Sequence, residues 1–167
     1  TFGPDQSYYV RYLNQEDDDR YLWDWYGPDI TAYAAGARAA GGDFDVDNIV
    51  LLSPANGATV SLPATFTWQR RGMAGDSYTY HLYDPEGYDE WWSDELGDVG
   101  SFRLGALPED AAYGYAYAWD VWVDDAAGGT GSSFWARDVT FTGGLSGGAS
   151  SARLSPGDRA PADRRPR

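Results

Sequence analysis

The sequence predicts an all-β fold: an antiparallel sandwich of about seven strands, preceded by a partial β unit and followed by a disordered tail. Three observations carry this. The run Tyr113–Asp124 (YGYAYAWDVWVD) alternates strictly, with Tyr115, Tyr117, Trp119, Val121 and Val123 on one face and Ala116, Ala118, Asp120, Trp122 and Asp124 on the other. Period-2 alternation in aromatic and β-branched residues marks a strand with one face in a core, whereas a helix would scatter those rings around its circumference. Further short alternating runs recur between Gly, Pro, Asn and Asp turn signals, the spacing of a sandwich. Aromatics make up 16% of the chain, dominated by Tyr and Trp, which supply large core area.

Residues 1–52 read as the C-terminal part of a preceding small β-sandwich domain plus connector. Tyr8–Leu13 is a strand, Asn14–Arg20 (NQEDDDR) a polar turn, and Tyr21–Gly27 (YLWDWYG) a Trp/Tyr-rich stretch. Asp29–Tyr33, a small-residue stretch over 34–42 and a last short strand, Asp43–Leu52, follow. Residues 53–142 form a complete unit that opens on the turn Ser53-Pro54-Ala55-Asn56-Gly57. Its strands are Thr65–Gln69, Tyr78–Asp84, Glu90–Glu95, Ser101–Leu107, the long alternating run, and Ser133–Thr142. The expected core is Phe66, Trp68, Tyr80, Leu82, Leu107, Tyr117, Trp119, Val121, Val123 and Phe141. Residues 143–167 are Gly/Ser-rich, then Pro/Arg-rich, without periodicity or aromatics, and are expected to be a disordered tail or linker.

The SPANG turn, Trp68 on the second strand, Leu107 before a corner, the Tyr117-x-Trp119-x-Val121-x-Val123 run and the closing GSSFWARDVTF together resemble a fibronectin type III domain over about 53–142. An immunoglobulin domain would instead carry a Cys pair and a Trp on the third strand. The order YYVRYL, acidic loop, YLWDWYG and GGDFDVDNIVLL resembles the C-terminal part of a carboxypeptidase-regulatory-like, prealbumin-like domain. These resemblances imply a piece of a multi-domain bacterial protein that is extracellular or at the cell surface, with its export signal outside this chain and other domains of the same parent chain as its first partners.

Charge and composition narrow the partners. The formal net charge is −14, and every basic residue is Arg. Five Arg against two Asp in 143–167 make the tail +3, which leaves −17 on the rest. An acidic body repels phosphate backbones, so nucleic acid is excluded as a partner. No apolar run approaches the length of a membrane span, and no Cys is present for a disulfide or thiolate site.

Chemistry-bearing constellations are sparse. The one histidine, His81, sits by alternation on an outward face between Thr79 and Tyr83, with no nucleophile elbow near it, and reads as a surface residue. Asp43, Asp45 and Asp47 imitate the start of a calcium loop, but Asn48 and Pro54 stand where that loop needs Gly and Glu, so neither a metal nor any other cofactor is expected. No catalytic residue is assigned, and an acid-pair hydrolase is a remote alternative, since a small sandwich offers no deep cleft. The expected function is a non-catalytic spacer, adhesion or protein-binding module contacting surface proteins. The alternative is a carbohydrate-binding module that uses Trp122, Tyr83, Trp91, Trp92 and Phe134 on polysaccharide. That alternative requires Trp122 and Tyr83 to be exposed and coplanar.

Overall fold

Alternating runs sort the chain into two sheets. The computed structural model describes residues 7–31, 44–86 and 88–143, and the backbone of 155–156. Its strands are β1 (Arg11–Leu13), β2 (Asp24–Tyr26), β3 (Val50–Ser53), β4 (Ala58–Ser61), β5 (Ala64–Gln69), β6 (Ser77–Tyr83), β7 (Glu90–Trp92), β8 (Ser101–Leu104), β9 (Ala116–Asp124), β10 (Thr130–Ser132), β11 (Arg137–Thr142) and β12 (Ser155–Pro156). No helix occurs among the described residues. A small sheet has the order β3-β5-β8; the large one runs β1-β2-β10-β9-β6-β7-β12, with β11 paired to β9 and β4. Every pairing is antiparallel except β4 with β11. β4 was not foreseen, because ATVS has no aromatic and only Val60 to anchor it.

The two sheets pack as a sandwich, with the core where their apolar faces meet. Phe66 of β5 lies 4.7 Å from Tyr80 and meets Trp119 edge-on at 5.1 Å, while Tyr80 stacks on Phe102 at 4.8 Å. Phe66, Trp68, Tyr80, Leu82, Tyr117, Trp119, Val121, Val123 and Phe141 are all buried in this cluster, and Leu107 packs against it half-buried. The Tyr117 hydroxyl accepts the Ala112 N–H at 2.7 Å and donates to the Ala112 carbonyl at 3.3 Å, pinning the corner before β9.

Strand pairing runs across the expected 52/53 boundary. β3 joins β5, and β2 joins β10 in the register Tyr26↔Thr130, Trp25↔Gly131 and Asp24↔Ser132. Leu22, Trp25 and Ile49 are buried in the same cluster as the sandwich core. What lets β2 approach is the absence of side chains on β10 and its turn. A Cβ at Gly129 would stand 2.2 Å from the Trp25 ring, and one at Gly131 would stand 2.8 Å from both the Asp24 carbonyl and the Trp25 ring. Such spacing is too short for any substituent, so only glycine fits under this indole.

A buried ion pair adds a second clamp. Arg71 donates from Nη2 to Asp76 Oδ1 at 2.7 Å and from Nε to Oδ2 at 3.1 Å, with both side chains about 1% exposed. The same guanidinium lies 5.2 Å from the Trp25 ring centre and donates to the Asp45 carbonyl, while the Tyr78 hydroxyl donates to Asp76. Burial is also the larger influence on Tyr78, whose hydroxyl is pushed up to about 12.

Within the expected strand Asp43–Leu52, regular pairing is absent from the described residues 44–49. Ile30 makes an isolated bridge to Tyr8, Asp47 another to Tyr21, and regular pairing resumes at Val50. Residues 32–43 lie outside the described residues, as does the expected tail apart from Gly143 and 155–156, the latter pairing by backbone with β7.

Two outcomes follow. Gly131→Ala should destabilise the protein by at least about 1–3 kcal/mol, the cost of overpacking, and should weaken the near-ultraviolet circular dichroism of Trp25; an unchanged urea midpoint and spectrum would contradict the close approach. Arg71→Ala should cost about 3–5 kcal/mol by leaving Asp76 buried and unpaired, and urea unfolding should show much of that loss recovered in Arg71→Ala/Asp76→Ala.

Candidate functional site

Directly opposed residues of an antiparallel pair share a face, so register alone assembles the outer face of the large sheet. Arg11 opposes Tyr26, Asp24 opposes Ser132, Ser132 opposes Trp122, and Asp120 opposes His81, with Tyr83 two residues further along β6. The return strand beside β9 is broken. β10 ends with Ser132 opposite Trp122 and β11 begins with Arg137 opposite Trp119, so Ser133–Ala136 face only Asp120 and Val121. Two extra residues make a bulge, which redirects side chains. The Ser133 N–H donates to the Val121 carbonyl at 2.9 Å, and the Phe134 N–H donates to Asn48 Oδ1 at 2.9 Å, holding the bulge in place.

The bulge builds an aromatic wall. Phe134 and Trp135 have ring centres 4.9 Å apart, and Trp23 stands 5.9 Å and 5.6 Å from them. Between this wall and the sheet lies a groove of about 390 Å³, lined by Arg11, Trp23, Asp24, Tyr26, Tyr83, Asp120, Trp122, Ser132, Ser133, Phe134 and Trp135. Trp135 is 59% exposed and Trp23 37%, so both rings are open to an occupant.

The charged groups of the groove are already engaged. Arg11 forks onto Asp24, Nε to Oδ1 at 3.1 Å and Nη2 to Oδ2 at 2.6 Å, and its guanidinium sits 5.0 Å from the Tyr26 ring centre. Burial, then the Asp24 carboxylate, pushes the Tyr26 hydroxyl up to about 12, so it stays a neutral donor and acceptor. Asp120 Oδ1 lies 3.0 Å from His81 Nδ1.

His81 corrects the sequence expectation. It does point away from the sandwich core, yet it is only 2% exposed. Trp92 stacks on its ring at 3.8 Å and 10°, and Tyr83 at 4.7 Å and 21°. Its Nε2 is 3.2 Å from Glu90 Oε2, within ion-pair reach though not aligned as a hydrogen bond. Burial pulls the imidazole pKa down and is the largest single influence; the carboxylates of Asp120 and Glu90 together outweigh it and leave the pKa above its ordinary value.

The aromatic set expected from sequence is not an exposed platform. Trp91 lies in the core, edge-on to Tyr117 at 5.7 Å, and Trp92 is covered beneath His81. The two do face opposite sides, as neighbours on a strand must, but both are buried. Trp122 lines the groove yet is 7% exposed, with Trp92 edge-on against it at 5.7 Å. Phe134 is buried within the wall, and Tyr83 is half-buried at the groove. The exposed, coplanar Trp122–Tyr83 pair is therefore absent. The exposed indoles that line the groove are Trp23 and Trp135, which alternation could not assign because a bulge and a neighbouring strand place them.

Of the metal candidates, Asp43 lies outside the described residues. Asp45 Oδ1 accepts the Asp47 N–H at 2.8 Å, a local turn contact. Among the described residues no three His, Cys, Asp or Glu side chains converge as ligands would.

Compared with known proteins, the chain matches no family model, no curated protein and no solved structure.

The His81 environment sets a pH dependence. Its pKa is raised on folding, so its stabilisation is fully present below the unfolded value near 6.5 and is lost as pH rises through the folded value. The chain has one His, no Cys and no Lys, so few other groups titrate there. The urea midpoint should fall from about pH 6 to about pH 9, and His81→Gln should flatten that slope; a wild-type midpoint that rises over the interval would contradict the arrangement.

Proposed function

We propose that this chain is a non-catalytic adhesion module that holds neutral carbohydrate in the groove on the outer face of its large sheet. The observation that carries the reading is the pair of exposed indoles, Trp23 and Trp135, on the rim of a groove of about 390 Å³. Such rings offer faces to the C–H surface of a sugar. Tyr26, Ser132 and Ser133 and the oxygens of Asp24 and Asp120 offer hydrogen-bonding groups to hydroxyls. This is a different site from the flat platform that the alternation suggested.

Pairing within the groove argues for binding over catalysis. A glycosidase needs one carboxylic acid free to protonate and a second free to attack or activate water. Asp24 is engaged by Arg11 and Asp120 by His81, so neither stands ready for that work. Charge supports a neutral ligand, because a chain of net −14 repels anionic polysaccharide.

The scaffold reads as fibronectin type III-like. The three-stranded sheet β3-β5-β8, the facing β7-β6-β9-β11 set, and the Tyr117 hydroxyl bonded back to Ala112 five residues upstream support it; a tyrosine at this corner recurs in immunoglobulin-like sandwiches. Such modules link other domains of a parent chain, which fits an extracellular or cell-surface setting and contact with surface proteins.

The reading is tested by calorimetry with cellohexaose, xylohexaose and mannohexaose, and polygalacturonate as an anionic control. At least one neutral sugar should bind. Trp135→Ala should then weaken it by about 2 kcal/mol, roughly thirtyfold, as for a central aromatic contact, without lowering the melting temperature. Binding of the anionic polymer alone, or of no sugar, would defeat the carbohydrate reading.

A further inference from the structure

The geometry points to His81 as the positioning residue of the groove: its protonated ring holds Asp120 and, through Trp92, the Trp122 indole in the arrangement that lines the groove, so that loss of one proton reshapes it. This rests on the groove being the binding site, and adds regulation by pH to that reading.

Two carboxylates face one ring. Asp120 approaches from β9, 3.0 Å from Nδ1, and Glu90 from β7, 3.2 Å from Nε2; on β6 itself the neighbouring titratable group is Tyr83, stacked at 4.7 Å. An imidazolium carries an N–H on both ring nitrogens and a charge that both carboxylates feel, whereas neutral imidazole has a single N–H. Whichever tautomer forms, one carboxylate then meets a lone pair. The Asp120 side chain is mostly covered, while that of Glu90 is 37% exposed, so Glu90 turns to water and Nδ1–H stays with Asp120. Deprotonation also removes the cation from the face of Trp92, which stacks on the ring at 3.8 Å.

Trp122 is placed to register this change. Its Nε1 is buried with no hydrogen-bond partner, so packing positions the indole, and Trp92 is one of the rings packed against it. A shift of Trp92 on losing its charged neighbour therefore moves a residue that lines the groove. Asp120, lining the same groove, loses its cationic partner in the same step. Both routes run from one proton to the surface that an occupant touches.

One experiment on the whole chain reads this directly. With a single histidine, the imidazole Hε1 resonance belongs to His81. It is followed from about pH 5 to about pH 9 beside the Trp122 indole N–H, which Trp122→Phe identifies. The two should move with one midpoint, and His81→Gln should abolish the Trp122 transition. Glu90→Gln, a change at a partly exposed side chain, should lower both midpoints together and keeps the test open if His81→Gln does not fold. A Trp122 signal that stays still, or moves at a different midpoint, while His81 titrates would overturn the inference. Cellohexaose, xylohexaose and mannohexaose are then titrated on either side of the midpoint, with affinity expected to be at least fivefold weaker above it. Equal affinity at both pH values would sink the coupling and leave the carbohydrate reading standing. Coincident titration without binding of any sugar would keep the coupling and remove the carbohydrate reading.

Discussion

The rest of the structure depends on one indole lying against a strand that has no side chains beneath it. Trp25 packs over Gly129 and Gly131 more closely than any Cβ would permit, and this contact brings β2 within hydrogen-bonding distance of β10. Once β2 is in place, β1 follows by pairing with it, and the sheet gains Arg11, Asp24 and Tyr26 on its outer face. Trp23, immediately before β2, is carried to the aromatic wall, where its N–H donates to the Ser132 carbonyl at 3.1 Å. Arg71, paired with Asp76, lies 5.2 Å from the centre of the same indole and packs the contact further. One side of the groove thus exists only because two strands that precede the sandwich in sequence join its sheet.

The groove joins polar groups whose charges are balanced in pairs. Arg11 with Asp24 and His81 with Asp120 leave its chemistry dominated by aromatic faces and hydrogen-bonding edges. The second pair is the less settled, because the imidazole serves two carboxylates and is the one group there whose charge changes near neutrality. In the proposed reading, stability, groove shape and occupancy therefore meet at a residue that does not itself line the groove.

Much of the fold was legible in the sequence because it is written in alternation. Tyr117, Trp119, Val121 and Val123 share one face in any extended chain, and so do Tyr78, Tyr80 and Leu82; that periodicity is local and survives without knowledge of neighbours. The site was much less legible. Alternation states which side of a strand a residue faces, but not what covers that side. His81 is on the expected outward face and yet is buried against Trp92. Phe134 and Trp135 are set by a bulge visible only when both partner strands are in register. Trp23 reaches the groove because β2 pairs with residues more than a hundred positions away, and Arg11 follows through its pairing with β2, a non-local fact that no spacing in the sequence records.

Hydrogen–deuterium exchange of the intact chain tests the docking of β1 and β2 most directly. The amides of Leu22, Trp23 and Gly131 should be protected to the same degree as those at the centre of β9, because they open only when the shared core opens. Rapid exchange over residues 11–27 beside a protected β9 would contradict it, since the groove would then lack one of its sides.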